Sequence, residues 1–126
     1  SIAGLCTLFI VKWWIQKLRY KLNADYIESN FVNKEIVRIA CKSKIGLFDK
    51  NKNKVLLSSS YSNIEKFDNE HLQISKGNKK GLYSLTYRKI IIPVLYDSIV
   101  QFSNSVTSAT TQGTEHHYDV KGNKLR

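Results

Sequence analysis

The chain has 126 residues and carries 20 Lys and Arg against 10 Asp and Glu, a formal net charge of +10. That length suits one domain with a modest core, and six glycines with a single proline, Pro93, exclude a linker or a disordered chain. Two cysteines in separate segments, Cys6 and Cys41, exclude a disulfide framework and a zinc-type spacing, and leave the redox compartment open.

The chain begins at Ser1 rather than Met, which fits a processed chain or a piece of a longer one. Residues 1–24 form a segment of their own. Ile2 to Val11 are almost entirely apolar; Lys12, Trp13-Trp14-Ile15, Lys17, Arg19 and Lys21 follow, with no acid before Asp25. The pattern predicts an N-terminal hydrophobic helix with three open readings. It fits the end of a membrane anchor, with Trp at headgroup depth and a basic flank, although a helical span needs roughly twenty apolar residues. It also fits a helix capping the rest of the fold or entering a partner, and a decayed leading repeat with Trp13 in register with Phe48. Phe9, Trp13, Trp14, Lys17, Arg19 and Lys21 are the candidate contacts to a membrane or partner.

Residues 25–126 repeat with a period of 35. That offset places Gly46-Leu47-Phe48 on Gly81-Leu82-Tyr83, Lys54 on Lys89, Tyr61 on Tyr96, Ile64 on Ile99, Phe67 on Phe102 and Asn69 on Asn104. A further copy starts at Tyr118 and carries Lys124, while Tyr26, Phe31 and the alternating Val37, Ile39 and Cys41 read as the back half of an earlier one. Such a period marks small units that bury a continuous core only by stacking. Each copy predicts a hairpin and a third strand. In the first, the turn is Asp49 to Asn53 and the third strand is Leu72-Gln73-Ile74. Lys76-Gly77-Asn78-Lys79 then turns the chain. In the second, the hairpin runs from Gly81 to Leu85 and from Lys89 to Val94, with the third strand near Val106 to Thr111. Pro93 lacks an amide donor, so its strand is expected at an edge or a bulge. Ser58-Ser59-Ser60 reads as loop, and Tyr96 and Phe102 flank a bend.

Lys80-Gly81-Leu82-Tyr83 followed by Ile91-Ile92-Pro93-Val94-Leu95-Tyr96-Asp97 resembles the bacterial WG (KWG) repeat. The resemblance covers about residues 26–126. The family's tryptophan is absent: Ile45 and Lys80 precede the glycines, and His116 replaces the glycine in the last copy. What the resemblance implies is an all-β repeat scaffold, commonly without assigned catalysis, and it supplies no catalytic residues. The expected fold is mainly β: tandem antiparallel hairpin and meander repeats behind the N-terminal segment. The expected repeat core is Phe48, Tyr61, Phe67, Tyr83, Tyr96 and Phe102.

Chemistry-bearing motifs are sparse. His116-His117 are adjacent and would point to opposite faces of a strand, so the pair does not easily share a metal, and with His71 distant in sequence no third ligand is apparent. Glu65 and Glu70 flank Phe67 on an expected solvated bend. There is no nucleophile elbow, phosphate-cradling glycine loop or converging pair of acids. The expectation is a non-enzymatic scaffold without cofactors or metals, mediating protein–protein contact, as an accessory subunit of a larger membrane-associated assembly. The alternative is a basic nucleic-acid-binding module, in which Lys50, Lys52 and Lys54 with Lys76, Lys79 and Lys80 line a ridge.

Overall fold

The computed structural model describes residues 26–28 and 35–125. The expectations for residues 1–24 and for Phe31, including Phe9, Trp13, Trp14, Lys17, Arg19 and Lys21, lie outside them. The described chain is mainly β, with no helix among the described residues. Twelve strands are described: β1 Tyr26–Glu28, β2 Ile36–Cys41, β3 Lys44–Asp49, β4 Lys54–Tyr61, β5 Asn63–Lys66, β6 His71–Lys76, β7 Lys79–Ser84, β8 Lys89–Tyr96, β9 Ser98–Ile99, β10 Val106–Thr111, β11 Thr114–Asp119 and β12 Lys124–Leu125. They form three four-stranded antiparallel sheets, each wound in chain order: β1 to β4, β5 to β8, and β9 to β12.

The 35-residue period is built into these sheets. The second strands start at 36, 71 and 106, the third at 44, 79 and 114, and the fourth at 54, 89 and 124. The sequence copies and the sheets are out of phase. A copy counted from Gly81 gives its hairpin, β7 and β8, to the second sheet, and its next two strands, β9 and β10, to the third. The expected bend between Tyr96 and Phe102 therefore contains a short first strand, β9, and Glu65 lies in β5. Ser58-Ser59-Ser60 are strand residues of β4, not loop. Alternation between exposed and covered faces lets small polar residues serve there, because the backbone ladder, rather than the side chains, holds an edge strand in place.

The chain divides into two compact units, Ser1–Ser59 and Ser60–Arg126, the boundary falling inside β4. In the first, β2 and β3 pair Ile36 with Asp49, Val37 with Phe48 and Ile39 with Gly46. Val37, Ile39 and Phe48 are buried on one face of the pair, and Ile36 and Leu47 on the other. A strand buried on both faces reads as a continuous apolar run, as Ile36-Val37 and Leu47-Phe48 do. Lys42 and Ser43 form the two-residue turn with φ of 50° and 66°, the left-handed pair that matches the twist of a hairpin.

In the second unit, β6 and β7 pair Leu72 with Tyr83 and Gln73 with Leu82. β10 and β11 pair Thr107 with Tyr118 and Ser108 with His117. The second sheet meets the third through a cluster of Leu82, Ile91, Ile92, Tyr96, Ala109 and Tyr118, with Phe67, Ile99 and Phe102 packed against it. The Tyr96 and Tyr118 hydroxyls lie 2.6 Å apart inside it. Burial is the main cause that pushes the Tyr96 hydroxyl far above the usual tyrosine range, and this hydrogen bond adds to it. Of the six expected core rings, Phe48, Tyr61, Tyr83 and Tyr96 are buried. Phe67 and Phe102 are half-buried and meet edge to face, with ring centres 6.3 Å apart.

Pro93 lies on β8, an edge strand, where the ladder is irregular: Leu82 pairs with Ile92 but Lys80 with Tyr96. Three residues of β8, Pro93 among them, face the single Gly81, so the missing amide donor falls in a bulge. The bulge presses on the third strand. A Cβ at Gly81 would lie 2.5 Å from the Ile92 carbonyl oxygen, and one at Gly46 would lie 2.6 Å from that of Leu57. Glycine recurs at this step because no side chain fits beneath the fourth strand.

Candidate interaction surface

Each third strand ends in a side chain that caps the following turn. The Asp49 carboxylate accepts the backbone amides of Asn51 and Lys52 at 2.9 and 3.1 Å. Ser84 Oγ accepts that of Tyr87 at 3.0 Å. The Asp119 carboxylate accepts those of Lys121 and Asn123, both at 2.9 Å, and the Asn123 side-chain amide as well. These hydrogen bonds, the Asn123 amide foremost, hold the Asp119 carboxyl below the usual range. Residues 49, 84 and 119 keep the 35-residue spacing, and they go unnoticed in the sequence because Asp and Ser share a role here rather than a side chain.

The turns deliver the chain to the fourth strands, which lie at the sheet edges. Each opens with a lysine and an aliphatic residue: Lys54-Val55, Lys89-Ile90 and Lys124-Leu125. All six are exposed, the aliphatics at 44%, 42% and 38%. Two residues further along, Leu57 and Ile92 are buried. Lys76 and Lys79, by contrast, are engaged within the second unit. The Lys76 ammonium sits 5.1 Å from the centre of the Tyr61 ring, a cation–π contact. Lys79 pairs with Asp97. That hydrogen bond, helped by the Gln112 amide, lowers the Asp97 carboxyl below its usual range. Of the expected ridge, Lys50 and Lys52 lie in the turn before β4 and Lys54 opens β4 in the first unit, while Lys76, Lys79 and Lys80 flank the β6–β7 turn in the second.

The second unit holds two further polar clusters. His71, 3% exposed, occupies the position equivalent to the buried Ile36. Its Nδ1 donates to the Asp68 carboxylate at 2.8 and 3.0 Å, its ring stacks on Phe102 at 4.6 Å, and its buried Nε2 has no partner. A shallow cleft of about 370 Å³ lies alongside, lined by Asp68, Asn69, Glu70, His71, Phe102, Ser105 and Val120. The sequence hid this residue, since a histidine in a core-phase position gives no apolar signal. On the third sheet, Ser108 Oγ lies 3.1 Å from His117 Nδ1, and Glu115 lies 3.7 Å from His117 Nε2. The Ser108–His117 contact follows from cross-strand pairing. His117 and Glu115 are 42% and 56% exposed, and this open face lacks the desolvated surroundings in which such groups activate a hydroxyl. His116 points to the other face, with its ring centre 5.7 Å from that of Tyr96. The described residues contain no group of three or more His, Cys, Asp or Glu able to hold a metal ion, and no helix among them is long and apolar enough to cross a membrane.

A scan against protein-family models gives no match. A search of curated proteins likewise finds no relative. Among solved structures, the chain is similar to one described as "KlHsv2 with loop 6CD replaced by a Gly-Ser linker", at 13% identity and a TM-score of 0.38, covering 71% of this chain and 33% of the other. It is also similar to a chain of "Crystal Structure of Mitotic Checkpoint Complex", at 14% identity and a TM-score of 0.38, covering 83% of this chain and 36% of the other. The chain spans about a third of the length of each, and at this level of likeness neither assigns it a function.

Proposed function

We propose that the protein is a non-catalytic β-repeat scaffold, similar to WG repeats, that mediates protein–protein contact as an accessory subunit of a larger membrane-associated assembly. The observation that carries this reading is the division of labour within the period. Buried positions mostly hold rings and aliphatics, with His71 and Thr107 among the polar exceptions, while the fourth strands open with an exposed Lys–aliphatic pair in all three copies. Serial four-stranded antiparallel sheets are the unit of repeated β arrays, which act chiefly through their surfaces. The basic nucleic-acid module is the weaker alternative, because Lys76 and Lys79 are engaged in contacts within their own unit.

Cross-linking mass spectrometry on the native extract tests the scaffold role. A stoichiometric protein partner cross-linked through the fourth-strand lysines is the expected result, and a free monomer at native concentration contradicts it. Flotation with anionic liposomes tests the membrane association. The whole chain is expected to float and a version starting at Asp25 to remain behind; equal behaviour of the two removes the N-terminal segment from the proposal.

A further inference from the structure

The buried histidine of the second unit stands where the other copies carry an aliphatic. Residues 36, 71 and 106 are equivalent, and Ile36 and Val106 flank His71 in that series. Its partner Asp68 is likewise peculiar to this copy, with Asn33 and Ser103 in the equivalent positions. We propose that the cleft beside His71 receives a guanidinium group, the arginine side chain of a partner polypeptide. This rests on the scaffold reading and names the chemistry by which the partner is held.

Packing of the repeat does not account for the histidine. The residue borders the cleft and is 3% exposed, yet its Nε2 has no hydrogen-bond partner, a cost that an aliphatic side chain avoids. Both oxygens of the Asp68 carboxylate lie within 3.0 Å of Nδ1. A carboxylate only accepts, so that proton belongs to Nδ1, and Nε2 of the neutral ring keeps a lone pair that calls for a donor.

Charge selects a cation. The cleft lies wholly within the second unit, and its lining holds two carboxylates, Asp68 and Glu70, with no lysine or arginine, in a chain of net charge +10. Asp68 is 30% exposed and already accepts from His71 and, at 2.7 Å, from the Glu70 amide. Glu70 is exposed at the rim. A lone pair beside two carboxylates favours a cation that donates several N–H bonds. A guanidinium does so in a fixed plane, whereas an ammonium is a compact, strongly hydrated point charge. Phe102 adds aromatic surface to the cleft, against which a guanidinium plane is stabilised. Nε2 is covered in the chain alone, so the group reaches it as the exposed rim residues Asn69, Glu70 and Ser105 turn aside. The cleft is shallow, at about 370 Å³, and leaves much of a free small molecule in solvent, whereas pockets for such ligands cover most of their surface. A side chain presented by a larger partner needs no such enclosure, which favours a polypeptide as the source.

The test uses the full chain, isotope-labelled, and an N-acetylated Gly-Arg-Gly amide peptide, followed by nuclear magnetic resonance. The backbone amides of Asn69, Glu70 and Ser105 are expected to shift together, and the His71 Nε2 resonance to move from that of a bare ring nitrogen towards that of a hydrogen-bonded one. Peptides with citrulline or lysine in place of arginine are expected to bind several-fold more weakly. Glu70→Gln is expected to weaken the arginine peptide about three- to fivefold, and His71→Leu about tenfold, through the lost bond to a charged donor. Leucine suits this position, as the buried Ile36 does in the equivalent one. Glu115→Gln makes the same charge change outside the cleft and is expected to leave binding unchanged. The proposal is overturned if the peptide leaves the His71 resonance unmoved, if Nε2 carries a proton in the unbound chain, or if citrulline or lysine binds as tightly as arginine. It is also overturned if Glu115→Gln weakens binding as much as Glu70→Gln, or if free ethylguanidine binds as tightly as the peptide. If Glu70→Gln with His71→Leu still captures the native partner at wild-type yield, this inference falls and the scaffold reading stands; a wild-type chain with no partner removes the scaffold reading itself.

Discussion

Replacing Gly81 by Ala probes the closest approach in the second sheet. The new Cβ would sit 2.5 Å from the Ile92 carbonyl oxygen and 2.9 Å from both Pro93 C and Val94 N, whereas ordinary contact begins near 3.4 Å. All three obstacles are backbone, so no side chain can rotate away and β8 itself must retreat by about 0.9 Å. Overpacking of this kind costs about 1–3 kcal/mol, and a strained ladder hydrogen bond between β7 and β8 adds about 1 kcal/mol. A loss of about 3 kcal/mol is expected, a large share of the roughly 5–15 kcal/mol that holds a domain of this size. The melting temperature should fall by about 12–20 °C. Gly113→Ala is the control: its Cβ meets nothing within 4 Å, but its φ of 76° is left-handed. There the cost is about 1 kcal/mol, from backbone strain alone. Urea unfolding followed by circular dichroism compares the two. If Gly81→Ala lies within 0.5 kcal/mol of wild type, or costs less than Gly113→Ala, the bulged approach of β8 on β7 is refuted.

Asp68→Ala should destabilise the second unit by about 1–3 kcal/mol, because it strips the buried His71 Nδ1 of its acceptor. Adding His71→Leu should recover most of that loss, and additive losses in the double-mutant cycle would refute the coupling. Ser43→Gly should stabilise the chain by about 0.4–1 kcal/mol, since Ser43 has a φ of 66° that glycine adopts without strain; an unchanged urea midpoint counts against the left-handed turn. Stability should also decline at both pH extremes. Asp97 and Asp119 have lowered pKa values, so the folded state binds fewer protons than the unfolded one, and their contribution, present above the usual carboxylate range, is lost as pH falls through it. Tyr61 and Tyr96 are raised, mainly by burial, so their contribution is complete below the usual tyrosine range and is lost as pH rises beyond it. Acid melts of Asp97→Asn with Asp119→Asn should show a flatter acid limb, and tyrosinate absorbance should show two tyrosines ionising only on unfolding.

The hairpins were legible in the sequence because their marks are side-chain identities: Gly-Leu-aromatic in the third strands and Lys with an aliphatic run in the fourth. The first strands were not. β9 is two residues long, and β5 offers a single apolar residue, Ile64, so neither makes an alternating pattern. Sheet phase was hidden too, since a period fixes spacing but not where a sheet begins. Ser58 to Ser60 look like loop because nothing in three serines encodes their pairing with the strand carrying Gly46. His71 shows the same limit, its burial being legible only by alignment with Ile36. The exposed Lys–aliphatic pairs were half-legible: the offset aligns Lys54 with Lys89, but only their exposure separates Val55 and Ile90 from the buried Leu57 and Ile92 two residues along.

Interstrand backbone nuclear Overhauser effects at three positions spaced by the period test most directly whether each copy folds as the same sheet unit. Val37 with Phe48, Leu72 with Tyr83, and Thr107 with Tyr118 face each other across β2–β3, β6–β7 and β10–β11. Equivalent cross-strand contacts at all three pairs are expected. Absence at any one pair, or a register shifted by one residue in one sheet, contradicts the account, because a one-residue slip turns that sheet's buried side chains to its opposite face.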